Sequence, residues 1–148
     1  MKQGVVIWLT GRPGSGKTTI ARSLKKRIGQ EVLHLDERLA GSTEQQCQHA
    51  RRIGAVARVG VRKGQCVICS CVSPYRELRD EVRAHFNEGQ FIEVFVKASV
   101  EVCKARGGTE SFIYEEPVDP EVIVDTENCT ITKSANAVIN WFIKYNLQ

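Results

Sequence analysis

The sequence of 148 residues contains no apolar run approaching the ~20 residues that a membrane-spanning helix requires. It also has no low-complexity tract, no internal repeat and no linker, so residues 1–148 are expected to form a single domain with one sizeable core. No charge sign is in large excess. Lys and Arg number 21 against 17 Asp and Glu, for a net charge of +4, too mild a balance to argue for nucleic acid. The short basic clusters at 25–27, 51–52 and 62–63 read as solvated helix faces, or in part as groups that meet an anionic ligand. The opening "MKQGVVIWLTGR" has a lysine and an apolar stretch, as a secretion signal would. That stretch is only a strand long and runs straight into a glycine-rich turn, so no signal peptide is expected.

Six cysteines are present, three of them in "QCVICSC". As a strand, this stretch puts Cys69 and Cys71 on one face and Cys66 on the other, so the three do not converge on a metal. Buried, inert thiols in a reducing cytoplasm are the expectation, with a cytoplasmic location to match.

What the chain does have is "VVIWLTGRPGSGKTTIA". Gly11 to Thr18 fit the spacing G-x-x-x-x-G-K-[ST] of a phosphate-binding loop. Glycines let backbone N–H groups converge on an anion, and the following helix aims its unpaired N–H groups at the same phosphates. Gly11, Arg12, Pro13, Gly14, Ser15, Gly16, Lys17, Thr18 and Thr19 are therefore expected to bind ATP, Lys17 reaching the β- and γ-phosphates and the Thr18 hydroxyl taking Mg²⁺. No guanine-reading N-K-x-D motif occurs, which disfavours a GTPase switch.

Apolar runs at 5–9, 31–35, 65–71, 91–96 and 122–124 read as strands. Helical periodicity is expected near 17–28, 43–63, 75–87, 100–105 and 132–145. Strands alternating with helices predict an α/β fold, a five-stranded parallel sheet with helices on both faces. Ligands then belong at the carboxyl ends of the strands. Asp36 closes the second strand there, as a Mg²⁺ ligand directly or through water, as a base for an attacking hydroxyl, or as a plain helix cap. Asp125, ending the last strand, is a weaker metal-ligand candidate.

Later blocks are more specific. "SPYRELRDEVR" from Ser73 resembles the S-P-Y-R-x-x-R-D-x-x-R block of adenosine 5′-phosphosulfate (APS) kinases. "RRIGAVARV", "FIEVFVKASVEVCKAR" and "YEEPVDPEVIVDT" follow in the family's order, and the resemblance covers most of the chain. It implies a three-layer P-loop NTPase fold and an ATP-dependent transfer of phosphate to the 3′-hydroxyl of APS, with Mg²⁺. The partners would be small nucleotides, not nucleic acid or a membrane, with a homodimer as a possible assembly. Val72 and Ser73 would contact the nucleotide substrate; Ser73 has also been proposed in the family as a phosphorylated intermediate, although direct in-line transfer suffices. Arg106 would lie against the adenine of ATP, unless it is only a surface arginine at a helix C-terminus.

Four departures fall on the acceptor side. The family's L-D-G-D-x-x-R reads "LDERLAG", and a loop with a substrate-stacking phenylalanine is largely missing. Gln46 and His49 replace an arginine and an asparagine. The lysine-rich lid is cut to "GGTESFI". His49 and Arg52 would then recognise the acceptor anion or be solvated helix residues, and the alternatives are a different small anionic acceptor or a nucleotide-binding regulatory domain.

Overall fold

The computed structural model describes residues 4–29, 32–36, 41–108 and 113–146. Strands β1 (Val5–Thr10), β2 (Leu33–Asp36), β3 (Cys66–Ser70), β4 (Phe91–Lys97) and β5 (Val122–Asp125) form one sheet in the order β2-β3-β1-β4-β5. Every pairing is parallel. Helices α1 (Lys17–Ile28), α2 (Thr43–Arg62), α3 (Arg76–Arg83), α4 (Val100–Ala105) and α5 (Ile131–Asn146) make the crossovers. This is the predicted α/β sheet with helices on both faces.

Parallel strands buried on both faces have no use for alternating polarity, and all six residues of β1 are buried. Ile7 and Leu9 face Ile20 and Leu24 of α1 and Ala135 and Val138 of α5. Val6 and Trp8 face the opposite layer, made by Cys47, Ala50 and Ala57 of α2 and Leu78 and Val82 of α3. Small residues along α2 let that long helix lie close to the sheet. Its start is fixed by a capping box: the Gln45 N–H donates to Ser42 Oγ at 3.2 Å, and the Ser42 N–H to Gln45 Oε1 at 2.9 Å.

The cysteine stretch is a strand, as expected. Cys66 packs with the α1–α5 layer, whereas Cys69 and Cys71 join the α2–α3 layer. Burial pushes the Cys66 thiol up to about 12 and the Cys69 thiol well above its ordinary value, which keeps both protonated and unreactive.

Boundaries differ in two places. The third helix ends at Arg83 rather than near residue 87. Phe86 keeps the apolar spacing begun by Leu78 and Val82, but the backbone has left the helix for successive tight turns, Phe86 N–H to Arg83 O and Gln90 N–H to Asn87 O. Phe86 is held instead by Phe91, 5.6 Å between ring centroids. The second strand starts at Leu33; the expected start at residue 31 lies outside the described residues. No described helix is long and apolar enough to cross a membrane.

Candidate active site at the carboxyl ends of the strands

The chain turns from β1 into α1 through residues 11–16. Gly14 has φ 85°, and a Cβ there would stand 2.6 Å from the Cys103 carbonyl oxygen. Gly16, with φ 107°, is the N-cap of α1 and offers no side chain to its first turn. The first N–H groups of α1 are thus left for a ligand, with the positive end of the helix dipole behind them. Lys17 Nζ donates to the carbonyls of Gly11 at 2.9 Å and Arg12 at 3.0 Å, arching over the loop. Ser15 Oγ is buried without a hydrogen-bond partner among the described residues. A buried orphan hydroxyl beside converging N–H groups fits a cradle for an oxyanion.

Thr18 Oγ1, from the second residue of α1, donates to the Asp36 carboxylate at 3.2 and 3.3 Å. Adjacent strands β2 and β3 and the α1 crossover bring these two oxygens together. A threonine hydroxyl and a carboxylate form an all-oxygen donor set, which fits Mg²⁺.

On the other side of the loop, four side chains form a buried chain of hydrogen bonds. Trp8 Nε1 donates to Ser73 Oγ at 3.1 Å, and Ser73 Oγ donates to Thr10 Oγ1 at 3.1 Å. Thr10 Oγ1 donates to the Val72 carbonyl at 2.7 Å, so the 2.9 Å contact with Tyr114 must have the phenol as donor. Burial pushes the Tyr114 phenol up to about 12. Tyr114 stacks on Phe95 at 6.1 Å and lies under two guanidinium groups, Arg12 at 5.5 Å and Arg79 at 5.3 Å.

Ser73 is the one described non-glycine residue at positive φ, 40°. Its strained turn is held from below by Arg79, which is 1% exposed. Arg79 Nη1 donates to the Ser73 carbonyl at 2.6 Å, Nη2 to the Glu115 carbonyl, and Nε lies 3.4 Å from Glu93. Burial raises the Glu93 carboxyl, and the nearby Arg79 and Arg83 guanidiniums pull it back down.

The third wall is the α4 terminus and the end of β5. Arg106, the C-cap of α4, donates through Nη1 to the carbonyls of Ser15 at 3.2 Å and Gly14 at 3.4 Å and to Thr126 Oγ1 at 3.1 Å. Its Nη2 donates to the Thr126 carbonyl at 3.0 Å. Thr126 Oγ1 in turn donates to the Ser15 carbonyl. Arg106 is therefore both at a helix C-terminus and against the phosphate loop. Asp125 caps the following turn, accepting from the Glu127 and Asn128 N–H groups and from Asn128 Nδ2, and the side-chain bond from Asn128 holds its carboxyl below the usual range. That turn is what presents Thr126 to the loop.

The structure thus groups Gly11 to Thr18, Asp36, Val72, Ser73 and Arg106 around the strand ends. Thr19 is exposed on α1, behind the loop. His49 is half-buried in the second turn of α2. Arg52 is exposed on α2, opposite the buried stripe of Cys47, Ala50, Gly54 and Ala57, and is not brought into this group. Gln46 is 2% exposed. Residues 37–40 and 109–112, which carry most of "LDERLAG" and the shortened lid, lie outside the described residues. Trp8, Thr10, Arg79, Tyr114 and Thr126 were not anticipated. The signal for Thr10 was a lone hydroxyl closing an otherwise apolar strand.

The family model for adenylylsulphate kinase matches residues 3–125. This chain belongs to the adenylylsulphate kinase family. An adenylyl-sulfate kinase of Oceanobacillus iheyensis is 35% identical, covering 94% of this chain and 84% of its own length. One from Rippkaea orientalis is 39% identical, covering 93% and 90%. The first alignment runs over 167 positions, more than the 148 residues of this adenylylsulphate kinase family member, so that relative carries residues this chain lacks. In fold, the chain matches the Mycobacterium tuberculosis APS kinase in complex with AMPPNP and APS, with a TM-score of 0.84 over 97% of this chain and 99% of that one, at 22% identity.

Proposed function

We propose that the chain transfers the γ-phosphoryl group of ATP to the 3′-hydroxyl of adenosine 5′-phosphosulfate, giving 3′-phospho-APS and ADP. The observation that carries this reading is the Thr18–Asp36 pair at 3.2 Å beside an anion cradle, in a chain at least a third identical to adenylyl-sulfate kinases. The cradle N–H groups and Lys17 hold the β- and γ-phosphates, Lys17 leaving its two loop carbonyls to do so. Thr18 and Asp36 would hold Mg²⁺, which supplies charge neutralisation on the phosphate oxygens when bound. Asp36 orients the acceptor hydroxyl or takes its proton. Arg106, fixed against Gly14 and Ser15, offers a planar face to adenine.

Ser73 acts by position. Its hydroxyl is fully buried and engaged with Trp8 and Thr10, which leaves it no path to become a phosphoserine without breaking both bonds. Transfer is therefore direct and in line, and the strained turn at Val72 and Ser73 shapes the acceptor wall. Small nucleotides are the partners; a cytoplasmic location and a homodimer complete the proposal, the latter read by sedimentation.

The test is ADP release from Mg-ATP with and without APS, with 3′-phospho-APS identified by chromatography. APS-dependent ADP and that product are expected, and Lys17→Ala should lower the rate by at least about a hundredfold while the fold survives. ATP binding without APS stimulation would overturn the acceptor assignment. Full activity in Lys17→Ala would overturn the kinase reading.

A further inference from the structure

A cavity of about 730 Å³ opens at the opposite end of the sheet from the phosphate loop. Gly4, just before β1, lies in its wall, and β1 is six residues long. At about 3.3 Å per residue the two places are roughly 20 Å apart. Arg58, Arg62 and Lys63 of the α2 terminus line it, with His85 and Phe86 from the turns after α3. No carboxylate is among its described lining residues.

Among the described residues no carboxylate pairs with Arg58, Arg62 or Lys63. The last carbonyls of α2 are already satisfied by backbone: Gly60 O accepts from the Lys63 and Gln65 N–H groups, and Val61 O from that of Gly64, each at 3.0 Å. The neighbouring Glu81 is committed to Arg51 at 2.7 Å. Arg58 Nε is buried with no hydrogen-bond partner among the described residues. A buried guanidinium N–H without an acceptor is costly unless something supplies one.

A second space of about 300 Å³ between α2 and α3 adjoins it, sharing Arg58, Arg62 and His85 as walls. Its other walls are Gly54, Ala55, Val59 and Val82, with Val59 54% exposed, and the ion-paired Arg51 and Glu81. One end offers positive charge and hydrogen-bond donors, and the other offers apolar surface. Cavities of this size take small molecules.

We propose that this is a second ligand site, for a small organic phosphate: a phosphate head against Arg58, Arg62 and Lys63, and an apolar or flat body along Ala55, Val59 and Val82. Fork-shaped guanidinium groups suit phosphate oxygens, and Arg58 Nε gains the acceptor it lacks. The site is separate from the one that binds ATP and does not depend on the identity of the acceptor.

The test is amide-resolved NMR titration of the whole protein with pyrophosphate and, separately, with AMP. Saturable shifts at Gly4, Gly64 and Gln90 are expected with both probes, and at Ala55 and Val59 with AMP alone. In Arg58→Ala/Arg62→Ala, affinity read at those amides should fall at least tenfold, while shifts at Gly14 and Gly16 and APS-dependent ADP release stay as in the parent. Those unchanged shifts and turnover show that the double variant is folded, and Arg58→Lys, which keeps the charge but not the fork or Nε, should bind between the parent and the double variant. Absence of saturable shifts around Gly64, shifts that survive the double substitution, or AMP shifts that never reach Ala55 and Val59 would each overturn the proposal.

Discussion

Replacing Arg79 by methionine probes the support beneath the acceptor wall. The side chain length is nearly kept, but four interactions go: the donors to the Ser73 and Glu115 carbonyls, the charge 3.4 Å from Glu93, and the guanidinium 5.3 Å from the Tyr114 ring centroid. Breaking one side of a buried pair costs about 3–5 kcal/mol, and each charge-assisted hydrogen bond about 1.5–3 kcal/mol, the two not being additive. Taking about 4 kcal/mol as the sum, a domain of this size should melt about 8–16 °C lower. The pH dependence carries the sharper signature. Glu93 already has a raised carboxyl because it is buried, with Arg79 the largest opposing influence. A group whose folded value is raised binds more protons folded than unfolded, so its contribution is present below about 4.5 and is lost as pH rises through the folded value. Without Arg79 the folded value climbs further, and the loss extends to higher pH. Differential scanning fluorimetry of both proteins from pH 5 to 8 reads this directly. The melting difference should widen as pH rises. Parallel curves, or a variant melting within about 2 °C of the parent, would refute the account of Arg79 as the partner of Glu93 and the brace of Ser73.

Two further substitutions test the walls separately. Ser73→Ala leaves the Trp8 indole N–H buried without its acceptor, a cost of about 1–3 kcal/mol, and should raise KM for APS more than it weakens ATP binding; an equal loss of ATP affinity in calorimetry would contradict its place on the acceptor side. Thr126→Val keeps the shape but removes the donor to the Ser15 carbonyl and the acceptor for Arg106, and KM for ATP should rise up to about tenfold with kcat for the acceptor step little changed, an effect worth about 1.4 kcal/mol. An unchanged KM for ATP would mean that Arg106 and the loop are positioned without it.

Much of the sheet was legible because buried parallel strands are continuous apolar runs, and Val5 to Leu9 or Phe91 to Val96 have few other ways to be buried. The loop was legible because its residue types follow from phosphate chemistry. The third helix was not, because Phe86 continues the apolar period while Asn87 and Gly89 favour turns, and pattern alone does not weigh one against the other. The buried hydrogen-bond chain was invisible for a different reason. The hydrogen-bonded partners among Trp8, Thr10, Ser73 and Tyr114 are up to 104 residues apart and meet only because β1 lies beside β3 and the chain returns at Tyr114 to meet Thr10. Arg79 reads as one more basic residue in a charged helix, and only its 1% exposure reveals it as part of the core.

The posture of Lys17 has a consequence for competition among anions. Its ammonium donates to the Gly11 and Arg12 carbonyls. An incoming ion must out-compete these two internal acceptors, each charge-assisted and worth about 1.5–3 kcal/mol. A lone divalent oxyanion such as sulfate offers the ammonium little more than it gives up. A polyphosphate chain engages the cradle N–H groups and the lysine at once and so makes the exchange favourable. A lysine tethered to its own loop would thus set a threshold that a polyphosphate passes and a small ion does not.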